Sequence, residues 1–217
     1  ALGVLPTVFG GFLIAVLLNW KVKAIGVFRA MFFLPLTISS AVAGIAWSSI
    51  FNPEAGWINR ILKIFGITGP EWLASVSWAL PSVTIIVIWL SLPLVIILYL
   101  AGLQRISPEI LEAAALDGAN AWQRVWQIIF PCVSTTTILV LAIEILAFLS
   151  SPFEISLLMV QGGPLEATTS LAYYAYKVAF EQFEVGYSAA LVMVQFFALL
   201  VVALPIIQIR KYRKARG

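Results

Sequence analysis

The stretch EAAALDGANAWQRVWQIIFP, residues 112–131, lies between two long apolar runs of the chain. Of the 217 residues, 62% are hydrophobic and 11% are charged, and the mean hydropathy is +1.02. Soluble domains usually have about 25% charged residues. The composition therefore predicts a membrane protein, in which residues 112–131 belong to a charged connection between membrane spans.

The sequence around this connection predicts two short helices. Ser107 and Pro108 are typical of a helix start, because a capping hydroxyl precedes a proline at the first helical position. Gly118 favours a left-handed stop, Asn120 can cap a second helix, and Pro131 should break or kink that helix at the membrane entrance. The first helix is too short to be stable alone in water, so it must pack against something.

One face of this first helix indicates what it could pack against. Ile110, Leu111, Ala114 and Ala115 share that face by the i, i+3, i+4 rule. A narrow ridge of small residues suits insertion into a groove on another protein. From the residues alone, packing against the chain's own membrane helices is an equal alternative.

Five apolar stretches are long enough to cross a membrane, since a spanning helix needs about 20 apolar residues. They cover approximately residues 2–18, 30–51, 78–101, 128–151 and 185–209. The pattern predicts an all-α polytopic helical bundle that forms a single transmembrane domain over residues 1–217, with a sixth span expected before Ala1.

The positive charges predict the orientation of this bundle. Of the 13 Lys and Arg residues, ten lie on the side of segment 107–128 and three on the other. Cytoplasmic connections retain positive charge. Segment 107–128 and the tail 210–217 are therefore expected in the cytoplasm, and the connections 52–77 and 152–184 are expected outside.

Several classes of site are excluded by composition. The chain has no histidine and one cysteine, which removes disulfide scaffolds, Cys/His zinc sites and histidine-based catalytic triads. No G-x-x-x-x-G-K-[ST] phosphate loop occurs, so ATP cannot be held by that device. We expect a chain that is not an enzyme and binds no cofactor or metal, with energy supplied by a partner.

The connection carries a pattern of known proteins. Glu112, Ala113 and Ala114, followed by Gly118 and by Phe130-Pro131, resemble the EAA signature of permease subunits in binding-protein-dependent ABC importers. Phe130 departs from the Leu that usually precedes the proline. Five other stretches are similar to the carbohydrate-uptake branch, which includes the maltose and glycerol-phosphate importer permeases: KVKAIGVFRAMFFLP (21–35), FNPEAGWIN (51–59), AGLQRISPEILEAA (101–114), GGPLEATTSLAYYAY (162–176) and AFEQFEVGYSAAL (179–191).

The resemblance implies a fold and a function. The fold is the type I ABC importer permease fold with a cytoplasmic EAA coupling helix. The function is import of a sugar, oligosaccharide or related polyol by alternating access, driven by ATP hydrolysis in partner subunits. The residues that would couple the chain to the ATPase are Glu112, Ala113, Ala114, Leu116, Asp117 and Gly118.

The same resemblance implies the surroundings of the chain. Its partners would be a second, different permease, two cytoplasmic ATP-binding subunits that hold ATP and Mg, an external solute-binding protein and membrane lipid. Nucleic-acid binding is not expected. The location would be the cytoplasmic (inner) membrane of a bacterium or archaeon.

Glu144 is the main candidate for a group facing the transport pathway. An ionisable side chain inside a span is costly and normally faces protein or water. It could bond sugar hydroxyls or lock two helices together. The resemblance directs attention to the helices on both sides of the EAA segment, and the candidate pathway residues are Ser40, Trp89, Leu90, Ser91, Glu144, Phe148 and Ser151.

Gly162, Gly163 and Pro164 predict a tight turn. The resemblance places this turn where the external binding protein docks or near the mouth of the pathway, and a plain turn between helices is the alternative. Three other functions stay open: an ABC permease for glycerol phosphate, an amino acid or an anion; a proton-coupled secondary transporter using Glu144; and a passive scaffold. Secondary transporters usually show repeated halves, and none is visible here.

Overall fold

The computed structural model describes residues 3–20, 25–150 and 152–214, and the regular structure within these ranges is helical. A 3-10 turn (Leu34–Thr37) follows α2, and π-helical turns (Arg124–Ile129 and Ser156–Val160) follow α7 and α10. The all-α prediction is confirmed. The helices are α1 (Val4–Asn19), α2 (Ile25–Phe33), α3 (Ser40–Ile50), α4 (Trp57–Ile64), α5 (Val76–Leu103), α6 (Pro108–Leu116), α7 (Ala121–Gln123), α8 (Phe130–Cys132), α9 (Ser134–Ser150), α10 (Pro152–Ile155), α11 (Leu171–Phe180) and α12 (Val185–Lys214).

Two of the described helical stretches are long and apolar enough to cross a membrane. They are α5, with 28 residues, and the 27-residue stretch Ser134–Val160 that contains α9 and α10. A third crossing results if the bent pair formed by α2 and α3 is one span. α1 and the Val185–Val201 part of α12 are apolar but shorter. The five-span count therefore stays a prediction.

The predicted span 30–51 is wrong as a continuous helix. The helical stretches before and after residues 38–39 are bent by 110°. Pro35 lies in the 3-10 turn that ends the first stretch. The Ser39 hydroxyl starts the second by accepting a hydrogen bond from the Val42 N–H (3.4 Å). A helix stop followed by a helix cap turns the apolar run into a broken or re-entrant segment.

The connections predicted as external loops are partly helical. Segment 52–77 contains α4, and segment 152–184 contains α10, its π-helical turn and α11. The predicted span 128–151 is shifted toward the C-terminus. The helix is interrupted at Val133, α9 begins at Ser134, and helical structure is found again from Pro152 to Val160.

α1, α5 and α9 pack together at the centre of the bundle. Phe12 and Tyr99 are fully buried there, with ring centroids 5.4 Å apart in an edge-to-face contact. Gly11 allows the close approach, because a Cβ added to it would lie 2.4 Å from Cγ1 of Val95. Small residues commonly serve this purpose between membrane helices. A second buried cluster joins α3, α5 and α10 and consists of Phe51, Val83, Ile86, Val87 and Ile155.

Candidate functional site

The EAA segment has well-defined helix ends. Gly118 has φ +83°, its N–H donates to Ala115 O (3.2 Å), and the Ala119 N–H donates to Ala114 O (3.0 Å). These two bonds form a complete Schellman motif, which confirms the predicted glycine stop. Asn120 confirms the predicted second cap, since its side chain and that of Gln123 form a reciprocal capping box.

The start of α6 differs from the prediction in one respect. Ser107 has the extended backbone of a cap residue, and Pro108 occupies the first turn, as predicted. The Ser107 hydroxyl, however, donates to the Glu109 carboxylate and caps no backbone N–H. The hydroxyl proton thus goes to a charged acceptor two residues away, with which it forms a stronger hydrogen bond than with a neutral one.

Only part of the predicted ridge on α6 faces the chain's own bundle. Ala114 is buried, and Leu111 packs against the central core. Ile110 and Ala115 are exposed, so the buried strip is narrower than the predicted face. The π-helical turn after α7 continues this contact through Val125 and the ring of Trp126, which lies 5.9 Å from Phe12.

The other side of α6 is open. Glu112, Ala113, Asp117 and Gly118 are all exposed, and Leu116 has 90% of its surface accessible. The six residues predicted to couple to an ATPase are therefore divided. Ala114 anchors the helix to its own bundle, and the remaining five form an accessible surface, which we call the outer face of α6.

A cavity of about 450 Å³ opens beside the middle of α5. Its wall is formed by the bend between α2 and α3, by the central turn of α5 and by the start of α10. Ligand pockets usually have volumes of about 300–1,000 Å³, so this cavity could hold a small solute. The lining residues are Pro35, Leu36, Ile38, Ser40, Val87, Leu90, Ser91, Phe153, Glu154 and Ile155.

The structure brings some of the predicted pathway residues to this cavity. Ser40, Leu90 and Ser91 line it. Trp89 instead packs edge-to-face on Trp47, with centroids 5.7 Å apart. Phe148 packs against both buried clusters, and Ser151 lies outside the described residues.

Glu144 does not line the cavity but lies behind its wall. The side chain is fully buried, and its Oε2 accepts a hydrogen bond from Ser91 Oγ (3.0 Å). Its Oε1 has no hydrogen-bond partner in the described part of the chain. Of the two roles left open for Glu144, this geometry favours locking α9 to α5.

Glu154 is the polar cavity residue that the sequence prediction missed. It accepts a hydrogen bond from the Ser40 hydroxyl and so bridges α10 to the start of α3. Hydropathy placed it in an external loop. The signal that could have found it is the helical pattern after Pro152, which puts Glu154 in the first turn of α10.

The turn after α10 has an internal and an exposed part. Gly162 is buried with φ +80°, and the Thr168 hydroxyl donates to Gly163 O (2.9 Å). Leu165 is 88% exposed. Of the three predicted docking residues, Gly162 shapes the turn from inside, while Gly163 and Pro164 are partly accessible.

Comparison with known proteins identifies the family. The family model described as "Binding-protein-dependent transport system inner membrane component" matches residues 7–214. The chain belongs to this family. The family resemblance found in the sequence is confirmed, and the membrane location of the chain follows from it.

No cluster of three His, Cys, Asp or Glu residues that could hold a metal occurs within residues 3–20, 25–150 and 152–214.

Several curated relatives from this family are similar over most of the chain. The probable ABC transporter permease protein y4oQ of Sinorhizobium fredii is 34% identical over 91% of this chain and 63% of its own length. The sn-glycerol-3-phosphate transport system permease protein UgpA of Agrobacterium fabrum is 32% identical over 93% of this chain and 68% of its own length. The chain thus spans about two thirds of the length of these relatives.

Solved structures confirm the ABC importer permease fold. A chain of a bacterial alginate ABC transporter, in complex with an alginate pentasaccharide-bound periplasmic protein, matches with a TM-score of 0.83 and 25% identity, over 94% of this chain and 73% of that one. A second structure, of a bacterial ABC transporter involved in import of the acidic polysaccharide alginate, matches with a TM-score of 0.86 and 24% identity.

Proposed function

We propose that this chain is the permease subunit of an ATP-driven importer for a sugar, oligosaccharide or related polyol. The observation that carries the proposal is the outer face of α6. This helix is held to its own bundle by Leu111 and Ala114, lies between the membrane helices α5 and α9, and leaves Leu116 90% exposed. Ile110 and Trp122 of the same segment are exposed as well, and a group of exposed large apolar side chains suits a binding partner.

The proposed partner of this face is an ATP-binding subunit in the cytoplasm. Two such subunits, which hold ATP and Mg, would act with this chain, a second and different permease and an external solute-binding protein, in the cytoplasmic membrane of a bacterium or archaeon. The chain itself would catalyse no reaction. Family membership supports this assembly, as does the periplasmic protein in the alginate transporter complex.

A pair of matched variants tests the role of α6. Leu116→Asp places a charge on the outer face of α6, and Leu165→Asp places one at an equally exposed leucine in the turn after α10. Neither should disturb the fold, because both side chains are exposed. Leu116→Asp is expected to reduce copurification of the ATP-binding subunits and ATP-driven uptake, while Leu165→Asp retains the ATP-binding subunits. Equal retention in the two variants would contradict the assignment.

We propose that the cavity beside α5 is part of the solute pathway. Its polar groups are the hydroxyls of Ser40 and Ser91 and the carboxylate of Glu154, and the described lining contains no Lys or Arg. Hydroxyl and carboxylate groups suit hydrogen bonding to sugar hydroxyls. A carboxylate without a cation disfavours an anionic cargo, because like charges repel. A neutral polyhydroxyl solute is therefore favoured over glycerol phosphate or another anion.

The cargo assignment is tested by ATP hydrolysis of the assembled transporter with cognate binding proteins. A neutral sugar or polyol delivered by its binding protein is expected to raise hydrolysis, and Glu154→Gln should reduce its uptake without loss of the ATP-binding subunits. Stimulation by an anionic solute alone would refute the cargo class while leaving the role of α6 intact.

We also propose that the turn after α10 contacts the external binding protein. Gly162, Gly163 and Pro164 would shape the contact, and Leu165 would supply the exposed apolar group. Leu165→Asp is then expected to weaken stimulation by the binding protein while leaving basal ATP hydrolysis unchanged. Unchanged stimulation would favour the alternative of a plain turn.

A further inference from the structure

The short helix α4 leaves an apolar surface exposed at one end of the bundle. Trp57, Ile61 and Ile64 lie within about 60° of one another on the helix, which advances about 100° per residue. They are 67%, 52% and 80% exposed. Phe65, which follows the helix, extends this surface and is 74% exposed. We call these four side chains the α4 face.

The opposite side of α4 is fixed to the bundle. Ile58 packs against the second buried cluster. Asn59 Oδ1 accepts a hydrogen bond from Trp72 Nε1 (2.7 Å), and a Cβ added to Gly69 would lie 1.9 Å from the same oxygen. The segment that leads from α4 to α5 therefore packs tightly against Asn59 at Gly69. These contacts determine the orientation of α4 and keep the α4 face directed away from the protein.

The depth of α4 is set by an aromatic cluster. The Trp72 ring lies 5.2 Å from the ring of Trp78, in the first turn of α5, and 5.6 Å from the ring of Phe51, which follows α3. Tryptophan is enriched where membrane helices meet the membrane–water interface. Because α4 is bonded to Trp72, an interfacial position of these rings would place α4 at the level of the bilayer surface as well.

Two cations lie on one side of the α4 face, Arg60 about 40° and Lys63 about 100° from Ile64 around the helix. Arg60 and Lys63 are exposed, and among the described residues neither forms an ion pair. The Arg60 guanidinium lies 6.0 Å from the centroid of the Trp57 ring. Long basic side chains can bury their stems in apolar surroundings while the charge reaches phosphate groups. Glu54 and Glu71, the acids of the same connection, lie outside the helix.

This combination of groups indicates which partner covers the surface. Lysine is depleted at protein–protein interfaces, whereas amphipathic helices that lie on membranes combine Trp, Phe or aliphatic residues on one face with Lys and Arg beside it. We propose that α4 lies in the plane of the bilayer surface, with the α4 face between the acyl chains and Arg60 and Lys63 on the phosphates of anionic phospholipids. This would fix the height of the α3–α5 connection in the membrane.

Spin labelling of the assembled transporter tests the placement of α4. The chain has one cysteine, so Cys132→Ser provides a background for Ile61→Cys, Ile64→Cys and the control Glu54→Cys. Each protein is reconstituted in vesicles of phosphatidylcholine with phosphatidylglycerol. Each label collides with oxygen, which dissolves in lipid, and with a nickel complex, which stays in water. The ratio of the two collision rates is expected to be several-fold higher at 61 and 64 than at 54. A low ratio, or labels shielded from both reagents by another protein, would overturn the proposal.

A charge variant tests the headgroup contact. Arg60→Glu combined with Lys63→Glu reverses two exposed charges and leaves the α4 face unchanged. Each cation contributes about fivefold to affinity for an anionic surface. The collision ratio of the label at 61 should therefore rise when phosphatidylglycerol is added to phosphatidylcholine vesicles, and this rise should disappear in the double variant. An identical response in both proteins would refute the phosphate contact. Neither experiment depends on the identity of the cargo.

Discussion

The contact between α1 and α5 can be tested with two adjacent glycines. Outside its own helix, a Cβ at Gly10 would meet no heavy atom within 4 Å, whereas a Cβ at Gly11 would lie 2.4 Å from Cγ1 and 3.2 Å from Cβ of Val95. Val95 is fully buried, so its side chain has little room to move away. Gly11→Ala should therefore overpack the centre of the bundle, and Gly10→Ala should not.

The expected difference in free energy of unfolding follows from two terms. Replacing glycine by alanine in a helix gains about 1 kcal/mol, and this gain is common to both variants. Overpacking a well-packed core costs about 1–3 kcal/mol. Gly11→Ala should thus be about 1–3 kcal/mol less stable than Gly10→Ala in denaturant titrations of the full chain in micelles. Val95→Ala added to Gly11→Ala should recover part of the loss. Equal stability of the two glycine variants would refute the close approach.

Three further predictions concern local stability. Ser91→Ala leaves both oxygens of the buried Glu144 without a partner and should cost about 1–3 kcal/mol in the same titration; Glu144→Leu on top of it should recover part of that loss. Asn120→Ala removes the capping acceptor and should cost about 1 kcal/mol, seen as faster hydrogen exchange at the Gln123 amide. Gly162→Ala should cost more than Gly66→Ala, because both have positive φ but only at Gly162 would a Cβ meet another side chain, 2.5 Å from Thr169 Oγ1. A smaller loss at Gly162 would contradict the packing of that turn.

The ends of the EAA helices could be predicted from the sequence because they depend on neighbouring residues. Gly118 and Asn120 act through backbone groups no more than four residues away, and both act as predicted. Ser107 shows the limit of such reasoning. Its backbone conformation was predictable, but the partner of its hydroxyl was not, because the hydroxyl donates to the side chain of Glu109 and capping rules consider only backbone partners.

Hydropathy did not predict the broken segment formed by α2 and α3. A hydropathy sum depends only on composition and contains no information about the direction of the helix axis. Residues 30–51 carry no charge, and such a run scores the same whether it is straight or bent. The local signals were present in Pro35 and Ser39. They matter for the proposed solute pathway because the bend brings Ser40 to the cavity that Ser91 also lines.

The exposed face of α6 could be predicted only in part. Helix periodicity groups residues by angle, but the width of the buried strip depends on how the helix tilts against the bundle. Leu111 and Ala114 therefore became buried while Ile110 and Ala115 did not. Hydropathy could single out Glu144 as an ionisable residue inside an apolar run, but the prediction that it faces the pathway and its contact with Ser91, 53 positions earlier in the chain, depend on how α5 and α9 pack.

The outer face of α6 and the cavity beside α5 are connected through α5 and α9, the helices on both sides of the EAA segment. Ser91 lies about 18 Å along α5 from its end at Leu103, at 1.5 Å per residue, and the backbone bonds from Arg105 to Gly102 and from Ile106 to Leu103 make a tight exit toward α6. The segment leads in the other direction to α9, whose Glu144 bonds back to Ser91. If α6 binds an ATP-binding subunit as proposed, its displacement would act on both helices that meet behind the cavity. Because α5 and α9 are joined there by a buried hydrogen bond, we expect these two helices to move together.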